Sequence, residues 1–216
     1  FSIAHQDYYQ IRYIGVADGG RELVGVDNLA GKVKVMPFAR LHTNSDRNYF
    51  KATLGLHTGE VHLSEFDLNR ESDVIEHHYR PTLRAATPVF TPSGEMFGMV
   101  VIDMDAGRLL KSAVSDLPGV QTYMTNENGQ YLLHPDSQQT FKFEPDVTPD
   151  SKDKITSDFH FTQKMFDSQA PDYLPLQAVA TKPGSPLFSA RRIYFDPGNP
   201  QRFLLLMHYL PGAVVA

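Results

Sequence analysis

The chain of 216 residues contains no cysteine, which excludes disulfide bonds, zinc sites built on thiolates and catalysis by a thiol. It also lacks a basic excess, because 20 lysines and arginines stand against 25 aspartates and glutamates. A nucleic-acid surface needs such an excess, so none is expected. No segment approaches the roughly 18 uninterrupted apolar residues of a membrane helix, and no stretch has the pattern of a signal peptide. We expect this chain, which begins at Phe1, to be part of a longer protein whose targeting or anchoring segments lie outside it.

Catalytic motifs are also missing. The sequence has no Gly-x-Ser-x-Gly elbow, no phosphate-binding glycine loop, no dinucleotide fingerprint and no His-Glu-x-x-His pair. His77 and His78 follow Glu76 and invite a metal interpretation, but adjacent residues on a strand point to opposite faces, so a surface pair is favoured. We therefore expect no enzymatic activity in this chain, no cofactor and no metal.

The sequence does contain a repeated pattern of short alternating strands joined by glycine turns. Hairpins are predicted around Asp18-Gly19-Gly20, Pro92-Ser93-Gly94, Asn128-Gly129 and Asp196-Pro197-Gly198-Asn199. Between them, EVHLSEFDLN alternates as a strand, TNSDRNYFKATLG predicts a short helix capped by Asn44 or Ser45, and residues 159–166 predict another helix. This order of elements predicts an α+β fold of two units, each an antiparallel sheet with helices on one side.

Two charged residues stand in the otherwise apolar hairpin of residues 83–105. If Thr91 to Gly94 form its loop, Phe90 lies opposite Glu95, and Arg84 shares a sheet face with Asp103, one diagonal step away. Two interpretations are open. In the first, Arg84 and Asp103 form a partly buried ion pair that fixes the register, or each only extends its charged group toward solvent at a strand end. In the second, both groups line a ligand pocket.

Five segments, in this order, resemble the double Cache sensor domains of bacterial histidine kinases, diguanylate cyclases and chemoreceptors, which are also called PDC or periplasmic PAS-like domains. They are YYQIRYIGVADGGRELVGVDN, SDRNYFKATL, GEVHLSEFDLN, LRAATPVFTPSGEMFGMVVIDMD and TYMTNENGQYLLHPD. The resemblance implies two tandem PAS-like (Cache) units after an N-terminal helix that is mostly absent here. Residues 1–11 would end that helix, 12–116 form the membrane-distal unit, 117–210 the membrane-proximal unit, and 211–216 a tail toward a membrane helix.

The same resemblance implies a function. The chain would be the periplasmic, ligand-sensing portion of a bacterial inner-membrane receptor, most of all a histidine kinase, with a kinase or cyclase module in the cytoplasm. Ligand would bind in the distal unit, and two protomers would pair through the N-terminal helix.

Candidate ligand contacts come from the resemblance and from strand patterns. Chemoreceptors of this family that bind amino acids share a segment Arg-x-Trp-Tyr, whose Arg grips the ligand carboxylate, and an Asp on the last distal strand that receives the amine. Arg47-Asn48-Tyr49-Phe50 and Asp103 match them, with Tyr and Phe in place of Trp and Tyr. A guanidinium fork matches a carboxylate whatever the rest of the ligand, so we expect a small anionic or zwitterionic ligand, above all a carboxylate. To Arg47, Tyr49 and Asp103 we add the hairpin residue Arg84, His62 and Ser64 on one face of their strand, and Tyr79 at the pocket rim.

Two other functions remain open at this point. One is an interaction module whose distal face docks a periplasmic solute-binding protein. The other is a secreted hydrolase on an unfamiliar mixed fold, which would need a nucleophile close to one of the nine histidines.

Overall fold

The computed structural model describes residues 7–29, 31–71, 74–75, 79–144, 146–148 and 151–212. The chain divides into two compact units, Phe1–Arg108 and Leu109–Ala216, which we call the first and the second unit. In the described part of the chain, none of the helices combines the length and apolar character that a membrane crossing requires.

The first unit is built on an antiparallel sheet. Its strands are β1 (Tyr8–Gly15), β2 (Glu22–Leu29), β3 (Lys32–Val35), β4 (His62–Leu63), β5 (Asp67–Leu68), β6 (Arg70–Glu71), β7 (Val74–Ile75), β8 (Pro81–Phe90) and β9 (Met96–Asp105). The main sheet has seven strands in the order β3-β2-β1-β9-β8-β4, with β5 also paired to β8, while β6 and β7 form a separate ladder. The helices are α1 (Ala17–Gly20), a 3₁₀ turn (Phe38–Arg40), α2 (Asn48–Thr53) and α3 (Ala106–Ser112), which follows β9.

One face of this sheet is covered by α2. Successive strand residues point to opposite faces, and along β9 the buried residues are Met99, Val101 and Asp103. The core on this face joins sheet residues to the aromatic rings of Tyr49 and Phe50 from α2. The sheet therefore presents Asp103 to the same side as its apolar core, beneath a helix.

The second unit repeats the plan with five antiparallel strands. They are β10 (Gln121–Thr125), β11 (Tyr131–Leu133), β12 (Tyr173–Ala178), β13 (Leu187–Tyr194) and β14 (Phe203–Leu210), in the order β11-β10-β14-β13-β12. A 3₁₀ turn (Ser137–Gln139), α4 (Ile155–Asp158) and a 3₁₀ helix (His160–Phe166) lie between β11 and β12. Its core is apolar and aromatic, and includes Ile155, Met165, Phe188 and Leu205.

The predicted fold class is confirmed, since two antiparallel sheets with few helices form an α+β protein. Asn128-Gly129 and Pro197-Gly198 lie in the turns between paired strands, and Gly129 has the positive φ of 78° that such a turn requires. Residues 117 to 120 lie in the chain between β9 of the first sheet and β10 of the second. The domain limits given above stay predictions.

Three local predictions are corrected. Residues 8–11, assigned to a helical tail, begin β1, because their alternation lets them pair with β9 and β2, whereas residues 1–6 lie outside the described residues. EVHLSEFDLN is not one strand but two short ones, β4 and β5, which pair separately with β8. The helix predicted at 159–166 is a 3₁₀ helix over His160–Phe166, preceded by α4.

The cap of α2 and the register of the long hairpin also differ from prediction. Neither Asn44 nor Ser45 caps α2, which begins after Arg47 and has no side-chain cap. Phe90 faces Met96 because the loop has five residues, Thr91 to Glu95, rather than four, and a bulge between Val89 and Phe90 shifts the pairing by one further residue. Arg84 consequently lies directly opposite Asp103 rather than one diagonal step away, on the same face as predicted.

Candidate functional site

A buried cluster of charged and polar side chains lies on the α2 side of the first sheet. Neighbouring strands place Arg12 (β1), Asp103 (β9) and Arg84 (β8) on this face. We call the whole group the Asp103 cluster, and its members are Arg12, Glu22, Asn44, Tyr49, Asp67, Arg84 and Asp103.

Arg12 makes the most contacts in the cluster. Its Nη2 donates to both carboxylate oxygens of Asp103, at 2.9 and 2.8 Å. Its Nη1 donates to Glu22 Oε1 at 3.2 Å and to the Tyr49 hydroxyl at 3.1 Å, and lies 3.5 Å from Asn44 Oδ1. The remaining donor, Nε, is buried and has no hydrogen-bond partner among the described residues. Arg12 therefore ties β1 to β9, β2 and α2 while one of its five donors stays unsatisfied.

Arg84 is held mainly by a second carboxylate. Its Nη1 donates to both oxygens of Asp67, at 2.6 and 2.7 Å, and its Nη2 donates to Asn69 Oδ1 at 3.2 Å. Its Nε lies 3.5 Å from Asp103 Oδ1, a longer ion pair. The backbone N–H of Arg84 donates to Ser64 Oγ at 2.9 Å. Arg84 thus bridges Asp103 and the short strand β5.

The tyrosine of α2 closes the cluster from above the sheet. The Tyr49 hydroxyl donates to Asn44 Oδ1 at 2.7 Å, and the Asn44 amide in turn donates to Glu22 Oε1 at 3.3 Å. The guanidinium carbons of Arg12 and Arg84 lie 5.5 and 5.9 Å from the centre of the Tyr49 ring, within the range of a cation–π contact. One aromatic side chain therefore faces both cations.

The cluster is buried except at Asp67. Asp103 is 1% exposed and Glu22 2%, whereas the Asp67 side chain is 39% exposed and connects the cluster to solvent. Counted over the members of the Asp103 cluster alone, two guanidinium groups stand beside three carboxylates, a difference of one negative charge.

Burial lowers the pKa values of the two arginines, and the neighbouring carboxylates raise them. Burial alone lowers the pKa of Arg12, but the charges of Asp103, Tyr49 and Glu22 outweigh it and the pKa is raised. For Arg84 burial again lowers the pKa, and Asp103 and Asp67 raise it to a net increase. Burial raises the pKa of the Tyr49 hydroxyl, so this group stays neutral and able to donate.

The structure brings three of the seven predicted residues, Tyr49, Arg84 and Asp103, together in the cluster, and Ser64 accepts a hydrogen bond from the backbone N–H of Arg84. The other three predicted residues are Arg47, His62 and Tyr79. Arg47 is half-buried at the start of α2, His62 is half-buried on β4 opposite Ala86, and Tyr79 is 60% exposed. Whether these seven residues contact a ligand stays a prediction.

Sequence reasoning missed four members of the cluster, namely Arg12, Glu22, Asn44 and Asp67. A signal for Arg12 existed, since it stands in an alternating apolar strand as Arg84 does. Glu22 follows the Gly19-Gly20 turn and pairs in the hairpin with Ile14, which lies two residues from Arg12 on the same strand face. Asp67 gave no such signal, because it comes from a two-residue strand.

Outside the Asp103 cluster, the described residues form no comparable candidate site. The described residues contain no group of three or more His, Cys, Asp or Glu side chains arranged to hold a metal ion, and Glu76, His77 and His78 lie outside them. On the second unit, a solvent-open depression of about 520 Å³ runs along the 3₁₀ helix His160–Phe166, with Lys164 and Asp167 on its wall. These two groups lie on a surface rather than in an enclosed site.

Comparison with known proteins identifies the family. A family model described as "Bacterial histidine kinase, sensor domain" matches residues 2–154. No curated protein sequence gives a significant match.

Solved structures share the fold. The extracellular domain of the histidine kinase vpHK1S-Z8 is 19% identical, with 97% of this chain and 70% of that chain covered and a TM-score of 0.76. A domain of a sensory box/GGDEF family protein from Vibrio parahaemolyticus is 20% identical, covering 97% and 74%, with a TM-score of 0.77. The ligand-binding domain of the amino acid chemoreceptor PctC of Pseudomonas aeruginosa PAO1, in complex with GABA, is 16% identical, covering 95% and 75%, with a TM-score of 0.57.

Proposed function

This chain belongs to the family of bacterial histidine kinase sensor domains, and we propose that its first unit binds a small carboxylate or amino-acid-like molecule at the Asp103 cluster. The first unit is then the membrane-distal, ligand-sensing part of a periplasmic receptor portion. The parent receptor carries its catalytic module, a kinase or cyclase, in the cytoplasm.

The observation that carries this proposal is the burial of the Asp103 cluster under α2. Removing a charge from water costs several kcal/mol per ion, and a buried ion pair is often no more stabilising than apolar residues of similar volume. Stability alone is therefore a weak reason for two arginines and three carboxylates on one sheet face. Their forked donors and paired acceptors match the two ends of an amino-acid-like molecule.

The charge balance supports a zwitterion over a simple anion. With three carboxylates against two guanidinium groups, an added carboxylate alone increases the negative excess. A zwitterion adds no net charge, and its two ends find an arginine and a carboxylate within the same cluster. GABA, which the PctC domain binds in its solved complex, is such a zwitterion.

Sensing follows if ligand binding favours one arrangement of the cluster over another. The cluster joins β1, β2, β8, β9 and α2, so a ligand that changes its contacts acts on both the sheet and its covering helix. The ligand shifts the receptor between states only as far as its affinities for the two states differ.

A second candidate function is an interaction module that docks a periplasmic solute-binding protein. The closure of the cluster favours it, because Asp103 and Glu22 are almost wholly buried and ligand access requires an opening. A surface of the first unit would then receive the partner, and free ligand would not bind.

A thermal-shift screen of amino acids and organic acids on this domain tests the proposal. A zwitterionic compound is expected to raise the melting temperature of the wild type. The same compound should lose its effect in Arg47→Ala, Arg84→Ala and Asp103→Ala. Arg192→Ala, which removes an arginine equally buried in the second unit, is the matched control and should respond as the wild type does.

Two results would count against the proposed site. Stabilisation that survives all three substitutions in the first unit would place the binding elsewhere. A screen without any hit, combined with capture of a purified solute-binding protein, would support the second function.

A further inference from the structure

The guanidinium of Arg12 binds the Asp103 carboxylate in the position where a cationic group of a ligand would bind. One nitrogen of its guanidinium donates to both carboxylate oxygens, at 2.9 and 2.8 Å, in a site that excludes water. Asp103 is the most buried carboxylate of the cluster, at 1% exposure. A cationic group of an incoming molecule can reach these oxygens only if the Arg12 side chain moves away from Asp103.

Of the two arginines, Arg12 depends more on Asp103 for its carboxylate contacts. Arg84 has both oxygens of Asp67 and the Asn69 amide oxygen, so it stays paired if Asp103 is taken away. Arg12 keeps Glu22 at 3.2 Å as an alternative partner, and its buried Nε has no acceptor among the described residues. An unsatisfied buried donor is costly, so the present arrangement of Arg12 is one hydrogen bond short of complete.

We propose that Arg12 is an internal counter-ion that occupies the cation position of Asp103, and that the cationic group of the ligand replaces it there. Arg12 then pairs with Glu22 alone. This inference rests on the proposed function for the identity of the ligand, but the role of Arg12 is testable without that ligand.

The proposed exchange of Arg12 for a ligand cation leaves the charge paired with Asp103 unchanged, and it alters a contact of β1, a central strand of the sheet. A ligand ammonium replaces a guanidinium at Asp103, and the guanidinium keeps a carboxylate partner in Glu22. Arg12 lies on β1, which is hydrogen-bonded to both β2 and β9. When Arg12 releases Asp103, a side-chain contact between β1 and β9 is lost, while the backbone pairing of both strands remains.

Replacement of the missing side chain by a small guanidinium tests the position directly. Arg12→Ala is expected to leave a cavity facing two carboxylates, and methylguanidinium should fill it. We expect a saturable rise in the melting temperature of Arg12→Ala of at least about 3 °C in millimolar methylguanidinium, relative to NaCl at equal ionic strength. Wild-type protein should show no such rise, because its own guanidinium fills the position.

Two controls define the site. Methylurea, planar but neutral, should not stabilise Arg12→Ala. The double variant Arg12→Ala/Asp103→Asn should lose the response to methylguanidinium. If Arg12→Ala is unfolded by itself, methylguanidinium should restore its circular dichroism spectrum. Absence of both stabilisation and restored folding would overturn the inference.

The second arm uses the compound found in the ligand screen. Because the ligand no longer competes with Arg12, a zwitterionic hit should bind Arg12→Ala about tenfold more tightly than wild type in a calorimetric titration. Weaker binding to Arg12→Ala would show that Arg12 contacts the ligand instead of competing with it, and would overturn the inference. If the screen gives no hit while methylguanidinium stabilises Arg12→Ala, the proposed ligand fails and the cation position at Asp103 stands.

Discussion

Substitution of Asp103 by asparagine should destabilise the first unit strongly although the side chain keeps its shape. Asp103 accepts two hydrogen bonds from Arg12 and lies 3.5 Å from the Nε of Arg84. Without its charge, Arg12 retains Glu22, and Arg84 retains Asp67, whose side chain is partly exposed. Removing one partner of a buried pair costs about 3 to 5 kcal/mol, and this is the loss expected for Asp103→Asn.

Urea unfolding followed by circular dichroism measures this loss. With an m value near 3 kcal/mol/M, the urea midpoint should fall by roughly 1 to 1.7 M at unchanged m. Asp7→Asn is the matched control, because Asp7 pairs with Arg108 at 3.3 Å and both side chains are more than half exposed. An exposed pair contributes at most about 1 kcal/mol. Equal small losses in the two variants would refute the view that Asp103 organises the cluster.

Three further predictions concern stability and are read from urea unfolding midpoints. Arg192→Ala should cost about 1 to 3 kcal/mol, because a buried backbone carbonyl loses the Nε–H donor now 2.9 Å away, and an unchanged midpoint would contradict this. Gly98→Ala should cost about 1 to 3 kcal/mol, since a Cβ would collide with the carbonyl oxygen of Ile14, whereas a neutral result would require a strand shift. Above pH about 10 the stability should fall, because burial raises the pKa values of Tyr9 and Tyr49 and the unfolded chain therefore loses these protons first. A midpoint that is flat from pH 9 to 11 would contradict that assignment.

The fold could be predicted because its signals are local. Alternating runs around Asn128-Gly129 and Pro197-Gly198 predict hairpins from turn chemistry alone, and the antiparallel sheets follow. Turn chemistry does not fix a bulge, however. The bulge between Val89 and Phe90, together with a loop one residue longer than expected, sets Arg84 directly opposite Asp103, and nothing in the loop sequence indicates the bulge.

The site could be predicted only in part because its members come from six helices and strands and one loop. Arg84 and Asp103 share one hairpin, so register reasoning placed them on one face. Arg12 and Asp103 are 91 residues apart in the chain, and their contact depends on β1 lying beside β9 in the sheet order. Sheet order is a long-range property that periodicity does not encode.

The central claim is that the ligand binds at the Asp103 cluster of the first unit. A crystal structure of the domain grown with the strongest zwitterionic compound from the screen tests it most directly. We expect that compound between α2 and the sheet, with its cationic group on Asp103 and its carboxylate within hydrogen-bond distance of an arginine of the first unit. A compound that is well ordered only on the second unit, for example along the 3₁₀ helix His160–Phe166, with the Arg12 to Asp103 contact intact, would contradict the claim.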